Sequence, residues 1–151
     1  MGYWSIVEPV WNAINIGDGP EIFAQTFASV PRVSGLIFAA HFCQSEVCNG
    51  GFRQFFWNST GVLAPEAVEG FRDIGQTQVA ALIEKGMSLF GSVYPRERTE
   101  RQARLAEMSK SSFDTLDETF YALIETEAGG FTSAADRYSA TAPPNSASPP
   151  Q

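Results

Sequence analysis

The chain has 151 residues, 44% of them hydrophobic and 13% aromatic, with a formal charge of −7. That length and apolar content suit one domain that buries its own core without a metal or a disulfide framework. The acidic balance argues against direct binding to nucleic-acid phosphates or to an anionic membrane surface, and leaves basic proteins as the charge-matched partners.

The N-terminal stretch lacks a basic region followed by an unbroken apolar run, and no segment approaches the ~20 apolar residues of a membrane span, so the expected location is the cytoplasm. Myristoylation at Gly2 would want Ser or Thr where Ile6 stands. Cys43 and Cys48 are expected as free thiols in a reducing compartment. Trp4, Val7, Trp11 and Ile14 recur at helical spacing, with Pro9 starting or kinking the segment. Asp18-x-x-Glu21 reads as a capping box, with Pro20 in the first turn of a helix that runs through Phe23 and Phe27 and that Pro31 closes. Val33, Leu36, Ile37, Ala40, Cys43 and Val47 mark one face of the next helix, and Phe38 and Phe42 mark the opposite one. A helix apolar nearly all round belongs in the middle of the domain.

Later segments follow the same logic. Pro65 opens a helix with Val68 and Phe71 inward and Gly75 as its stop; Val79, Leu82, Ile83, Met87 and Phe90 repeat at three and four, with Gly91 as the next stop. Residues 94–110 form a charged helix. Ser111-x-x-Asp114 reads as a second capping signature, ahead of a helix lined by Phe113, Leu116, Phe120, Leu123 and Ile124 and ended by Gly129-Gly130. No alternating strand pattern and no internal repeat occurs. The expected fold is all-α: a single compact domain over residues 1–139, of about seven helices with a central buried helix, and a disordered Pro/Ser/Ala-rich tail over 140–151.

Residues 45–61, SEVCNGGFRQFFWNSTG, hold the most distinctive pattern. Asn49-Gly50-Gly51 tolerates the positive φ needed to end one helix and turn into another. Phe52, Phe55 and Phe56 then fall at i, i+3 and i+4 and present rings to the core, each contributing roughly 1.5–3 kcal/mol on burial. The stretch resembles the Glu-Val-x-Asn-Gly-Gly-Phe-x-Gln-Phe-Phe-x-Asn-x-x-Gly signature of a bacterial family of unknown function, the DNA-mimic-protein (DMP-like) family, named after a member described as a DNA mimic. Glu46, Val47, Asn49, Gly50, Gly51, Phe52, Gln54, Phe55, Phe56, Asn58 and Gly61 carry the resemblance, which extends over about residues 20–128 and takes in the acidic-aromatic segment FDTLDETFYAL. It implies a single helical domain, and it brings no catalytic residues and no cofactor.

The residues themselves offer a surface that fits such a role. At 100° per step, Asp114, Asp117, Glu118 and Glu125 share one face with Tyr121, opposite the apolar stripe. This face spans about 16 Å of helix, over which one DNA strand places about five phosphates. A solvated face of an amphipathic helix would show the same pattern. Glu46, Asn49, Gln54 and Asn58 offer the alternative, a polar pocket for a small molecule or a reaction. In that region Glu46 is expected to accept hydrogen bonds from the Asn49–Gly51 backbone, and His41, five residues earlier, points elsewhere. His41, Cys43 and Cys48 splay around one helix and lack a fourth ligand, so no metal site is expected.

Residues 96–110 carry five basic and three acidic groups, with Glu97–Arg101 and Glu100–Arg104 in the favoured orientation for helix ion pairs. Residues 111–151 carry six acids and one Arg, so the two segments would also pair between protomers of a homodimer. The favoured function is a non-enzymatic protein-interaction module whose acidic face occupies a basic partner, in the extreme a DNA-binding regulator. The alternative is the elbow pocket.

Overall fold

The computed structural model describes residues 2–141, as eight α-helices and three 3₁₀ turns, with no strand among the described residues. The helices are α1 (Trp4–Val7), α2 (Pro20–Ala28), α3 (Arg32–Trp57), α4 (Ala64–Asp73), α5 (Thr77–Ser88), α6 (Arg98–Glu107), α7 (Asp114–Thr126) and α8 (Phe131–Thr141). Ala140 and Thr141, expected in the tail, belong to α8; the rest of the expected tail lies outside the described residues.

α3 is the axis of the fold. Val33 to Ala40 are buried without interruption, and Cys43, Val47, Phe52, Phe55 and Phe56 continue the buried face. α4 crosses it closely: a Cβ on Gly70 would stand 2.4 Å from the Leu36 carbonyl oxygen, so only glycine fits there. The rings then knit the second half of the chain around α3. Phe56 meets Phe90 edge-on at 5.0 Å, Phe52 meets Phe120 at 5.4 Å, and Phe71 reaches both Phe120 and Phe131. Such edge-to-face pairs add to the area term because ring edges are positive and faces negative. The N-terminal segment straps over the other side, burying Ile6, Val7, Val10 and Ile14, and the Tyr3 N–H donates to Asp136 Oδ1 on α8 at 2.8 Å.

The two expected capping signatures do not form. Gly19, at φ 98°, is the residue ahead of α2, and Asp18 instead accepts from the Asn15 amide at 2.8 Å inside a tight loop. Ahead of α7, the Ser111 carbonyl accepts the Asp114 N–H in a turn, which aims the Ser111 hydroxyl at Ser109. In both places a neighbouring polar group competes successfully for the capping side chain.

Candidate functional site

The elbow is a break inside α3. Gly50 and Gly51 leave helical geometry, with Gly51 at φ 82°, a region that glycine occupies at no steric cost. The break strips the next segment of the carbonyls that its first N–H groups would otherwise use. Asp117, on α7, fills that gap: its Oδ1 accepts the Phe52 N–H at 2.8 Å. A half-buried acid of the α7 face thus caps a helix 65 residues earlier. Burial pushes the Asp117 carboxyl above its ordinary range, against the opposing pull of the Phe52 N–H.

Glu46 has different partners from those expected. Its carboxylate accepts from Asn58 Nδ2 at 2.7 Å, from Thr60 Oγ1 at 3.3 Å and from Gln54 Nε2 at 3.5 Å, and not from the Asn49–Gly51 backbone. The elbow folds back far enough to bring Asn58 and Thr60 over Glu46, which the local sequence does not reveal. Asn49 is exposed on the outside of the turn. Gly50, Arg53, Gln54, Trp57 and Asn58 line a groove of about 430 Å³ beside this network. His41 lies apart, hydrogen-bonded to the Tyr3 hydroxyl at 2.9 Å among the rings of Trp4, Trp11 and Phe42, and burial lowers its pKa. The structure does not bring Glu46 and His41 together.

The basic helix is turned inward. Arg101 is 0% exposed and donates to the carbonyls of Phe56, Asn58, Pro95 and Arg96, while Glu97 caps the Glu100 N–H at 2.8 Å. The expected Glu97–Arg101 pair is absent for that reason, whereas Glu100–Arg104 forms at 3.0 Å. Among the described residues no carboxylate pairs with Arg101; the C-terminal carbonyls of α3, the negative end of a helix dipole, stand in for one. Burial lowers the pKa of its guanidinium. Arg98 and Gln102 both donate to the Trp57 carbonyl, and Arg53 returns the contact to the Leu105 and Ser109 carbonyls. Arg96 grips Glu66 through two contacts of 2.9 Å. These arginines hold the end of the elbow.

The acids of α7 divide by what they touch. Asp114, Glu118 and Glu125 are exposed and make no hydrogen bond or ion pair among the described residues, and Tyr121 beside them is 41% exposed. Most other acids are engaged. Glu66, Glu69, Glu84 and Glu100 are ion-paired, and Glu127 accepts the Gln78 and Val79 N–H groups at the start of α5. The acids outside α7 without a partner among the described residues, Glu8, Glu21 and Glu107, lie on three different elements. Cys48 borders the stripe: burial and the Glu125 charge push its thiol up, and burial, with the neighbouring Asp117 and Cys48, raises the Tyr121 hydroxyl. Cys43, fully buried, is pushed well above the ordinary thiol range by burial. Among the described residues no group of three or more His, Cys, Asp or Glu is placed to hold a metal ion, and no helix is long and apolar enough to cross a membrane.

A family model described as DMP19-like protein matches residues 28–141, which takes in the elbow, the arginine clamp and the whole of α7. Neither the curated proteins nor the solved structures include a match.

Proposed function

The chain belongs to the DMP19-like protein family, and from that membership together with the charge on α7 we propose that it is a non-enzymatic protein-interaction module that mimics DNA. Its acidic face, Asp114, Asp117, Glu118, Tyr121 and Glu125, occupies a basic partner, a DNA-binding regulator in the cytoplasm, and neither nucleic acid nor membrane is bound directly. The observation that carries this reading is the concentration of uncompensated carboxylates on one helix: Asp114, Glu118 and Glu125 have no partner within the described residues, while most acids elsewhere are hydrogen-bonded or ion-paired. Unpaired like charges on one face destabilise a helix slightly, which a binding role offsets.

Arg96, Arg98, Arg101 and Arg104 are all occupied within the chain, which favours a basic partner of another kind over a homodimer built on those arginines. The elbow reading, a small-molecule or enzymatic pocket, is disfavoured because Glu46, Gln54 and Asn58 spend their hydrogen bonds on one another. The test is recovery of a DNA-binding protein by the tagged chain at low salt, followed by elution with duplex DNA. The triple variant D114N/E118Q/E125Q should recover none of it. Equal recovery by both proteins, or no release by DNA, defeats the proposal.

A further inference from the structure

The turn from α7 into α8 is held by polar contacts alone over most of its length. Between the buried Ile124 and the buried Gly130, Glu125, Thr126 and Gly129 are exposed and Glu127 and Ala128 half-buried. The Glu127 carboxylate accepts the Gln78 N–H at 2.8 Å, the Val79 N–H at 2.9 Å and Thr77 Oγ1 at 3.5 Å. Its carbonyl accepts Gln76 Nε2 at 2.9 Å and the Gly130 N–H at 2.9 Å. Gln76 Nε2 also reaches the Ile124 carbonyl at 3.4 Å, the Arg137 guanidinium of α8 donates to the Ala128 carbonyl, and the Ala128 methyl lies beside Gly75. Glu127 thus ties the start of α5 to the end of α7. We infer that this turn is a latch, which opens as one unit over residues 125–130 while α3, α4 and the body of α5 stay folded.

Two costs of different origin sit in the closed latch. Ala128 stands at φ 56° and ψ 27°, a region that a Cβ disfavours, and is the one non-glycine residue at positive φ among the described residues. Gln76 is 0% exposed, and while its amide nitrogen serves two carbonyls, its Oε1 has no partner among the described residues. A buried acceptor left unpaired cancels part of what the amide donor contributes. Opening relieves both: Ala128 returns to negative φ and the Gln76 amide reaches water. Little apolar surface is lost in exchange, and segments with that balance open below the free energy of global unfolding. The Asp117 cap has the opposite balance. It also reaches a distant helix start, at the Phe52 N–H, but the buried rings of Phe113 and Phe120 anchor its helix on either side. The latch carries Glu125, so the last carboxylate of the stripe can move while Asp114 and Glu118 stay fixed.

The latch does not depend on what the stripe binds, so it is read on the free chain. Native-state hydrogen exchange of the full chain, followed by NMR in sub-denaturing urea, decides it. The Val79 N–H is held by the Glu127 carboxylate, the Glu127 N–H by the Leu123 carbonyl and the Gly130 N–H by the Glu127 carbonyl. These three should share one opening free energy that changes little with urea, because a short turn exposes little surface. The Phe52 N–H should exchange far more slowly, with the steep urea dependence of global unfolding. Ala128→Gly relieves the left-handed residue and adds chain freedom to the open state, so the net effect should be an exchange about two- to fivefold slower at all three turn amides. Turn amides that exchange with the same steep urea dependence as Phe52 overturn the inference. So do three unequal opening free energies, which mean separate fraying of helix ends, and rates unmoved by Ala128→Gly.

Discussion

Replacing Asp117 with Ala separates the acid that holds the fold from the acids that face solvent. The Asp117 carboxylate accepts the Phe52 N–H at 2.8 Å and so serves as the N-terminal cap of the segment after the Gly50–Gly51 break. Losing such a cap costs about 0.5–2 kcal/mol. Burial already raises the Asp117 pKa, so part of the interaction is spent on desolvating the charge and a value of about 1 kcal/mol is expected. For a domain of this size that lowers the midpoint of thermal unfolding by roughly 2–4 °C. Asp114→Asn and Glu118→Gln remove a like-charge pair at i,i+4 and should leave the midpoint unchanged or raise it by a few tenths of a kcal/mol in equivalent stability. Asp117→Asn retains an acceptor and should lose less than Asp117→Ala. The sign with pH follows from the raised pKa: the wild-type advantage over Asp117→Asn is full below the ordinary carboxylate range and declines as pH rises through the raised value. Circular dichroism melts of the four variants decide it, and an Asp117→Ala midpoint equal to that of wild type would refute the capping role.

Arg101→Met takes the guanidinium donor from four main-chain carbonyls, of which that of Asn58 keeps the Gly61 N–H, and should cost about 3–5 kcal/mol in urea unfolding, a large share of a typical domain's stability; an unchanged urea midpoint would contradict the clamp. Gly51→Ala forces a side chain into φ 82° and within 2.7 Å of Asp117 Oδ2, so a loss of about 1–3 kcal/mol is expected in the same assay. His41 is held neutral by burial among aromatic rings, so its folded pKa lies below the unfolded value of 6.5 and its contribution is present above that pH and lost as pH falls through the folded pKa. Wild type should therefore lose stability from pH 7 to pH 5 relative to His41→Gln, read by tryptophan fluorescence during urea unfolding.

Much of this architecture is legible in the chain because it is local. Gly75 and Gly91 stand at φ 93° and 110° where the apolar periodicity stops, and Gly51 turns where the aromatic cluster begins. The unbroken burial of α3 from Val33 to Ala40 follows from its apolar residues on both faces. What resists reading is non-local. Asp117 to Phe52 and Glu127 to Val79 are caps across 65 and 48 residues, and helical periodicity carries no information about such pairs. Asp18 and Ser111 show the complementary failure, where a nearby Asn15 or Ser109 takes the side chain that a motif assigns to a cap. Arg101 did leave a trace. It stands four residues before the buried Leu105 and seven before the half-buried Met108, an inward-facing spacing that its charge disguised as a surface ion pair. The acidic stripe was visible as a face, but its division into a capping acid and three free ones needed the fold.

The central claim is that the α7 carboxylates take the place of DNA phosphates. The direct measurement is a mobility-shift titration: a basic DNA-binding protein recovered with the chain is bound to its duplex, and wild type or D114N/E118Q/E125Q is added at increasing salt. Wild type should release the duplex at low salt and less effectively as salt rises, and the triple variant should leave it bound. Release by the variant equal to that by wild type, or none by either, would contradict the account.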